Sequence, residues 1–308
     1  MTATTGGTPL TTERRRLVQS LASTVSVGRR LRDRVFFGLL ILSLLIALVT
    51  LFALLIDTFL TGQTRLNSDL VQNMPSGRPA RAGIQSAIFG SLWVVGLAGA
   101  VSLPLGVATA VYLEDFAPKG RWYISLIELN VQNLAGVPSV VFGILGLAFI
   151  ARGPFSWGFT VGTGAMVLTI LVLPTVVVAS REAIRAVPPS LRDGALALGA
   201  TRWQTIWRQV LPSAVPGIAT GSILSVSRAL GESAPLLLLG ALTFVTFNPD
   251  GLDSSFTVLP LLIFKYASDA KAEFHVVAAA AIIVLLIMLL TMNTAAILIR
   301  NRYQNRRS

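Results

Sequence analysis

The sequence has no cysteine and a single histidine, His275, among 308 residues. Without cysteine there is no disulfide framework and no thiolate metal site, and one imidazole cannot assemble a zinc site. Charge is scarce as well. Asp, Glu, Lys and Arg make up 13% of the chain, against about 25% in an ordinary soluble domain. So few charges cannot cover a water-facing surface, which excludes a soluble globular enzyme. No G-x-x-x-x-G-K-[ST] phosphate loop occurs. The nearest stretch, GPFSWGFT at 153–160, has Phe159 where the lysine is required, so ATP hydrolysis by that route is excluded. There is no H-E-x-x-H, no acidic metal cluster and no Ser/His/Asp set. The chain is therefore expected to hold no cofactor or metal and to catalyse nothing alone.

What the sequence has in abundance is apolar residues, 53% of the total. About 20 consecutive ones cross a bilayer core as a helix, and six stretches qualify: Val35–Ile56, Ile84–Leu113, Leu129–Ile150, Phe159–Ser180, Gly217–Leu239 and Val276–Ile299. Pro104 is expected to bend or end the second. Pro138 lies in the third, Pro174 in the fourth, and Arg228, Glu232 and Pro235 interrupt the fifth. The fold class is thus all-α, a polytopic membrane protein of six transmembrane helices.

Lys and Arg exceed Asp and Glu by 25 to 14. The excess is segregated. The N-terminal tail, the turn 114–123, the loop 181–212 and the C-terminal tail carry 18 of the basic residues, the intervening connections carry 6, and Arg228 lies within a span. Basic residues concentrate on the cytoplasmic side, so both termini and loop 181–212 are expected there. The charge is a topology signal and gives no reason to expect nucleic acid as a partner. The organisation that follows is a basic tail at 1–34, its Thr/Gly-rich residues 1–12 disordered, one transmembrane domain at 35–300, and a second basic tail at 301–308. The first span reads as a retained anchor. The charged region before it is too long for a secretory signal, and no small-residue cleavage site follows at 57–62.

Loop 181–212 is the most informative connection. Pro188-Pro189-Ser190 is suited to a helix start with Ser190 as cap. Leu191, Ala195 and Leu198 recur at helical spacing, and Gly199 stands where a left-handed residue often ends a helix. Thr201 can cap a second helix, in which Trp203, Ile206, Trp207 and Val210 fall on one apolar face. Pro212 is expected to return the chain to the membrane. Two readings stand for this hairpin: an amphipathic helix lying on lipid headgroups, or a rigid knob fitted to a cytoplasmic partner.

In the fifth span Arg228 and Glu232 are four residues apart, which places them on one helix face, with Ser225 and Ser222 extending it. A charge at mid-bilayer costs about 2.5–3.5 kcal/mol on insertion scales. One reading is an intramembrane ion pair that locks packing. The other is a substrate pathway, since a guanidinium suits tetrahedral oxyanions. In the third span Asn133 sits near the inner mouth, and Pro138 with Ser139 marks a gate or hinge. The outer segment 248–273, with Asp250, Asp253, Asp269 and Glu273, is expected to be a solvated loop, and His275 a surface residue.

The segment DGALALGATRWQTIWRQVLP resembles the coupling loop of ATP-binding-cassette importer permeases. That pattern is Glu-Ala-Ala, three residues, Gly, nine residues, Ile, one residue, Leu-Pro. Aligned on Gly199 and Leu211-Pro212, it puts Asp193-Gly194-Ala195 at the Glu-Ala-Ala positions and Gln209 at the Ile position. SRALGESAPLLLLGA and NVQNLAGVPSVVFGILGL are similar to the fifth- and third-span segments of the phosphate-specific permeases, and the compact first outer loop favours the PstA type. The resemblance covers about residues 35–300 and implies a type I ABC importer permease fold with a cytoplasmic two-helix coupling loop. It assigns ATPase docking to Asp193, Gly194, Ala195, Gly199, Trp203, Ile206, Trp207, Leu211 and Pro212. It further implies import of inorganic phosphate across the bacterial inner membrane and a homologous permease partner of the PstC type. The remaining partners are a dimer of PstB-type ATPase subunits holding ATP and Mg, and a PstS-type binding protein. Sulfate or molybdate is the alternative cargo. Outside this class stand an ATP-independent channel or secondary transporter, and a membrane scaffold.

Overall fold

The computed structural model describes residues 27–118, 120–239 and 244–304. The expected disorder of residues 1–12 falls outside them, as does the end of the C-terminal tail, 305–308. The chain divides into two compact units, Met1–Asp57 and Thr58–Ser308. In the first unit the described residues form a single helix, α1 (Val27–Gly62), which runs on across the boundary. It begins inside the expected tail. Its side chains from 32 to 57 are all exposed, and its length and apolar content suffice to cross a membrane.

The second unit opens with a one-turn helix, α2 (Ser68–Gln72), capped by Asn67, whose side chain accepts the Leu70 N–H. α3 (Gln85–Val111) continues through a π turn at Tyr112–Phe116. α4 (Trp122–Ala135) and α5 (Ser139–Leu145) follow, the latter extended by a π turn at Gly146–Ala151. Next come α6 (Val161–Arg185), α7 (Pro189–Ala197) and α8 (Arg202–Thr205). α8 passes through a π turn at Ile206–Val210 into α9 (Leu211–Gly231). The unit closes with α10 (Ala234–Leu238), α11 (Leu259–Ala267) and α12 (Ala272–Gln304). Among the described residues five helices are long and apolar enough to span a membrane, and the bent pair α4 and α5 makes a sixth if the two are taken as one span.

The third span bends at the expected hinge, where α4 and α5 turn through 105°. Gly136 is a weak helix former, and Pro138 disfavours a helical residue before it and lacks an N–H of its own. Pro104, in contrast, neither ends nor breaks α3, which keeps it in its interior. Within hydrocarbon a helix is the one local way to satisfy the backbone. α3 is also backed along its length by α6, close enough that a Cβ on Gly106 would sit 2.6 Å from Val176 Cγ1. The fifth span does not run to Leu239 but ends at Gly231, and α10 is a separate turn.

α6 is the most enclosed of the long helices, with 67% of its most apolar window buried. Val94, Ala98, Leu168, Val172 and Val176 form the central core with Leu230 and Leu236. α9 approaches α6 through Gly217 and Gly221, where added Cβ atoms would lie 2.7 Å from Ala183 Cβ and 2.4 Å from Ala179 Cβ. This is the small-residue spacing that lets two helices in a membrane come together. In the outer segment Asp250, Asp253 and Glu273 are exposed, while α11 buries one face through Leu259, Leu261, Leu262 and Tyr266. Tyr266 donates its hydroxyl to Gly83 O at 2.9 Å and stacks on Phe274. Burial pushes the Tyr266 phenol up to about 12. His275 is exposed, as expected, beside Asp269 O.

Candidate functional site

The hairpin that follows α6 is built from local signals. Pro188 takes the N-cap position and Pro189 opens α7. Ser190 therefore falls one residue inside the helix and does not cap it. Gly199 has φ +84°. Around it Gly199 N–H donates to Leu196 O and Ala200 N–H to Ala195 O, a left-handed C-terminal closure. Thr201 then forms a reciprocal cap with Gln204: Gln204 N–H donates to Thr201 Oγ1, and Thr201 N–H to Gln204 Oε1. From there the structure departs from the expected short second helix. Pro212 does not turn the chain back. It lies in the first turn of α9, and one rod runs from Arg202 to Gly231. Pro212 has no N–H to give to the carbonyl four residues before it, and the preceding π turn, with Leu211 N–H on Ile206 O, absorbs that mismatch.

The expected single apolar face is divided. Val210 is buried against Ile184, Val187 and Ala214, and Ile206 is buried as well. Trp203 and Trp207 are exposed, their rings 5.3 Å apart. Leu198, at the Gly199 bend, is 91% exposed. Asp193 and Gly194 are exposed, while Ala195, Leu211 and Pro212 are half-buried. A Cβ on Gly194 would meet nothing within 4 Å, so packing within this chain does not require glycine there.

Behind the hairpin is an ionic network that the sequence reading missed. Arg181 on α6 is buried and binds Glu114 Oε1 and Glu128 Oε1, both at 2.6 Å. Arg185 donates to Glu114 Oε2 at 2.9 Å. Arg192 on α7 pairs with Asp115 and also donates to Ile184 O at 3.2 Å. Two acids from the π turn after α3 and one from α4 thus meet three arginines from α6 and α7. Beside them opens a cleft of about 570 Å³, lined by Glu114, Arg121, Trp122, Glu128, Arg181 and Arg185.

The charged pair of the fifth span is present. Arg228 is in the last turn of α9, while Glu232 lies beyond its end in extended conformation, φ −75° and ψ 116°. Glu232, as the C-cap residue, keeps a helical φ, and Arg228 Nε reaches its Oε1 at 3.3 Å, so the expected four-residue pairing is made. The Glu232 side chain is 16% exposed and that of Arg228 is 59% exposed, so an anchored carboxylate holds an outward guanidinium. Ser225 is buried and donates to Gly221 O at 2.8 Å, which removes it from the exposed surface beside Arg228. Ser222 is half-buried. Ser227, which the sequence reading passed over, donates to Asn293 of α12. At the break in the third span, Asn133 is exposed, Pro138 caps α5 and Ser139 begins it. α5 packs on α10 so closely that a Cβ on Gly143 would lie 2.7 Å from Pro235 Cα, which ties this bend to the segment after Glu232. No group of three or more His, Asp or Glu that could hold a metal occurs among the described residues.

The family described as "Binding-protein-dependent transport system inner membrane component" matches residues 102–304. The chain is 33% identical over 249 residues to the probable ABC transporter permease protein YqgI of Bacillus subtilis, covering 78% of this chain and 81% of that one. It is 36% identical over 248 residues to the phosphate transport system permease protein PstA of Mycobacterium leprae, covering 78% and 79%. Among solved structures, a bacterial alginate ABC transporter bound to its pentasaccharide-loaded periplasmic protein aligns with TM-score 0.63 at 19% identity, over 86% of this chain and 93% of that one. The MetNI methionine ABC transporter, inward facing, aligns with TM-score 0.56 at 15% identity, over 70% and 94%. With its helical bundle, bent third span and glycine-hinged hairpin, the chain belongs to the inner membrane components of binding-protein-dependent transport systems, as an ABC importer permease of the PstA type.

Proposed function

We propose that the chain forms half of the translocation pathway of an ATP-driven importer of inorganic phosphate. The hairpin of α7 and α8 faces the cytoplasm, as do both chain ends, and docks on a separate ATPase subunit that binds ATP and Mg. Completing the assembly are a second permease of the PstC type, a dimer of PstB-type ATPases and a PstS-type binding protein that delivers the ion. The observation that carries the docking assignment is the exposure of Trp203 and Trp207 at a capped, glycine-hinged tip. An apolar patch of this kind on a stiff hairpin marks a partner surface. For the cargo, the support is the phosphate-system relatives and the geometry of Arg228. Glu232 occupies its Nε, which leaves the terminal amino groups to receive a tetrahedral oxyanion.

The test is reconstitution in proteoliposomes with the second permease and the ATPase, with the binding protein supplied. Phosphate should stimulate ATP hydrolysis and accumulate inside-directed, while sulfate and molybdate should do neither. Equal or greater stimulation by sulfate or molybdate would transfer the assignment to that anion, and accumulation without ATP would replace the ATP-driven class with a channel or secondary transporter.

A further inference from the structure

The π turn at the inner end of α3 touches both arms of the hairpin through two neighbouring residues. Asp115 pairs with Arg192 of α7, and the ring of Phe116 lies 6.0 Å from that of Trp203 on α8. The Asp115 side chain is 6% exposed and its Oδ2 is buried without a hydrogen-bond partner, so among the described residues Arg192 alone bonds this carboxylate. Arg192 also holds the carbonyl of Ile184 at the end of α6. A single guanidinium therefore fastens three elements: the hairpin, the foot of α3 and the foot of α6.

We propose that Arg192 and Asp115 are positioning residues for transport, forming the joint through which movement of the hairpin is delivered to α3. This rests on the hairpin being the ATPase docking element. The arrangement suits a joint better than a static brace. The neighbouring bonds from Arg181 and Arg185 to Glu114 and Glu128 already fix α3 and α4 to α6 and involve no hairpin residue. The Arg192–Asp115 pair is the ion pair that crosses from the hairpin to a span among the described residues. Asp115 is buried and resists separation from Arg192, because left alone it keeps its desolvation cost without compensation. Displacement of α7 therefore carries Asp115 with it.

The experiment uses the reconstituted transporter and reads phosphate moved per ATP hydrolysed, together with the amount of ATPase retained on the permease. Arg192→Gln leaves Asp115 charged and buried, and its damage alone would be ambiguous. The double variant Arg192→Gln with Asp115→Asn removes both charges and relieves that penalty. Arg192→Lys keeps one cation for the one carboxylate oxygen. The double variant is expected to assemble and to retain its ATPase and hydrolyse ATP, with phosphate per ATP reduced about tenfold or more. Arg192→Lys is expected to stay within about threefold of the unmodified transporter. An unchanged ratio in the double variant overturns the proposal. Loss of the ATPase from the double variant also overturns it, because the pair would then shape the docking surface and not the joint. Failure of the docking reading itself would show separately, as an unmodified permease that carries no ATPase.

Discussion

At the scale of single residues, Arg228 combines exposure with an anchored partner. Replacing it with Gln keeps hydrogen-bonding ability but removes charge. Phosphate uptake by cells expressing Arg228→Gln at unchanged membrane levels is expected to fall at least tenfold. Glu232→Gln should lower phosphate uptake and shift the ratio of phosphate to sulfate competition, since a carboxylate accepts the proton of hydrogen phosphate and sulfate has none to donate at neutral pH. Tyr266 gives a prediction independent of transport. Its hydroxyl bond to Gly83 is worth about 1 kcal/mol, which Tyr266→Phe should cost at neutral pH. Because burial raises the phenol from 10.0 to about 12, the folded state favours the protonated form. That contribution is complete below pH 10 and is lost as pH rises toward 12. Thermal unfolding of the detergent-solubilised protein should show a steeper alkaline decline for the unmodified chain than for Tyr266→Phe.

At the scale of elements, the hairpin depends on one backbone conformation. Gly199 sits at φ +84°, where an L side chain costs about 1–2 kcal/mol, and no neighbour fills the space beside it. Gly199→Ala is therefore expected to loosen the hairpin without disturbing the spans: normal membrane level, but ATPase recovery on co-purification reduced several-fold. Much of this element was legible in advance. Gly199 and Thr201 announce a bend and a cap by residue type alone, because these are local preferences. Ser190 and Pro212 misled for the same reason: each has a common local role that its neighbours override. Pro188 displaces the cap, and the π turn at Ile206–Val210 makes room for the proline. The 105° break at Pro138 was readable as a kink but not as a near-right angle, since the angle depends on α5 packing against α10 through Gly143. The network of Glu114, Asp115 and Glu128 with Arg181, Arg185 and Arg192 was not legible at all. Its partners are 53 to 77 residues apart, and the arginines had already been accounted for as topology signals.

At the scale of the whole molecule, the long apolar runs announced a membrane bundle, because hydrophobicity over 20 residues is a property of the sequence itself. Which surfaces meet other chains was not readable from those runs. Ile206 and Trp207 belong to one periodic pattern, yet one is buried in the bundle and the other is exposed. Trp203→Asp combined with Trp207→Asp puts charge on the exposed half alone. It is expected to abolish co-purification of the ATPase while leaving the thermal stability of the permease within a few degrees of the unmodified chain. Retention of the ATPase would remove the tryptophans from the docking surface.

The unbroken run from Arg202 to Gly231 joins places that function would otherwise have to link by relay. Trp203 and Arg228 ride on the same helical shaft, 25 residues apart in number, which at 1.5 Å per residue is about 38 Å. Like an oar in its rowlock, such a shaft, pivoted where Gly217 and Gly221 press on α6, swings its far blade whenever its handle is pushed. On the proposed reading, the grip of the motor and the hold on the anion are set by the tilt of one rigid body, and a swing of about 10° about that pivot would carry Arg228 by a few ångströms.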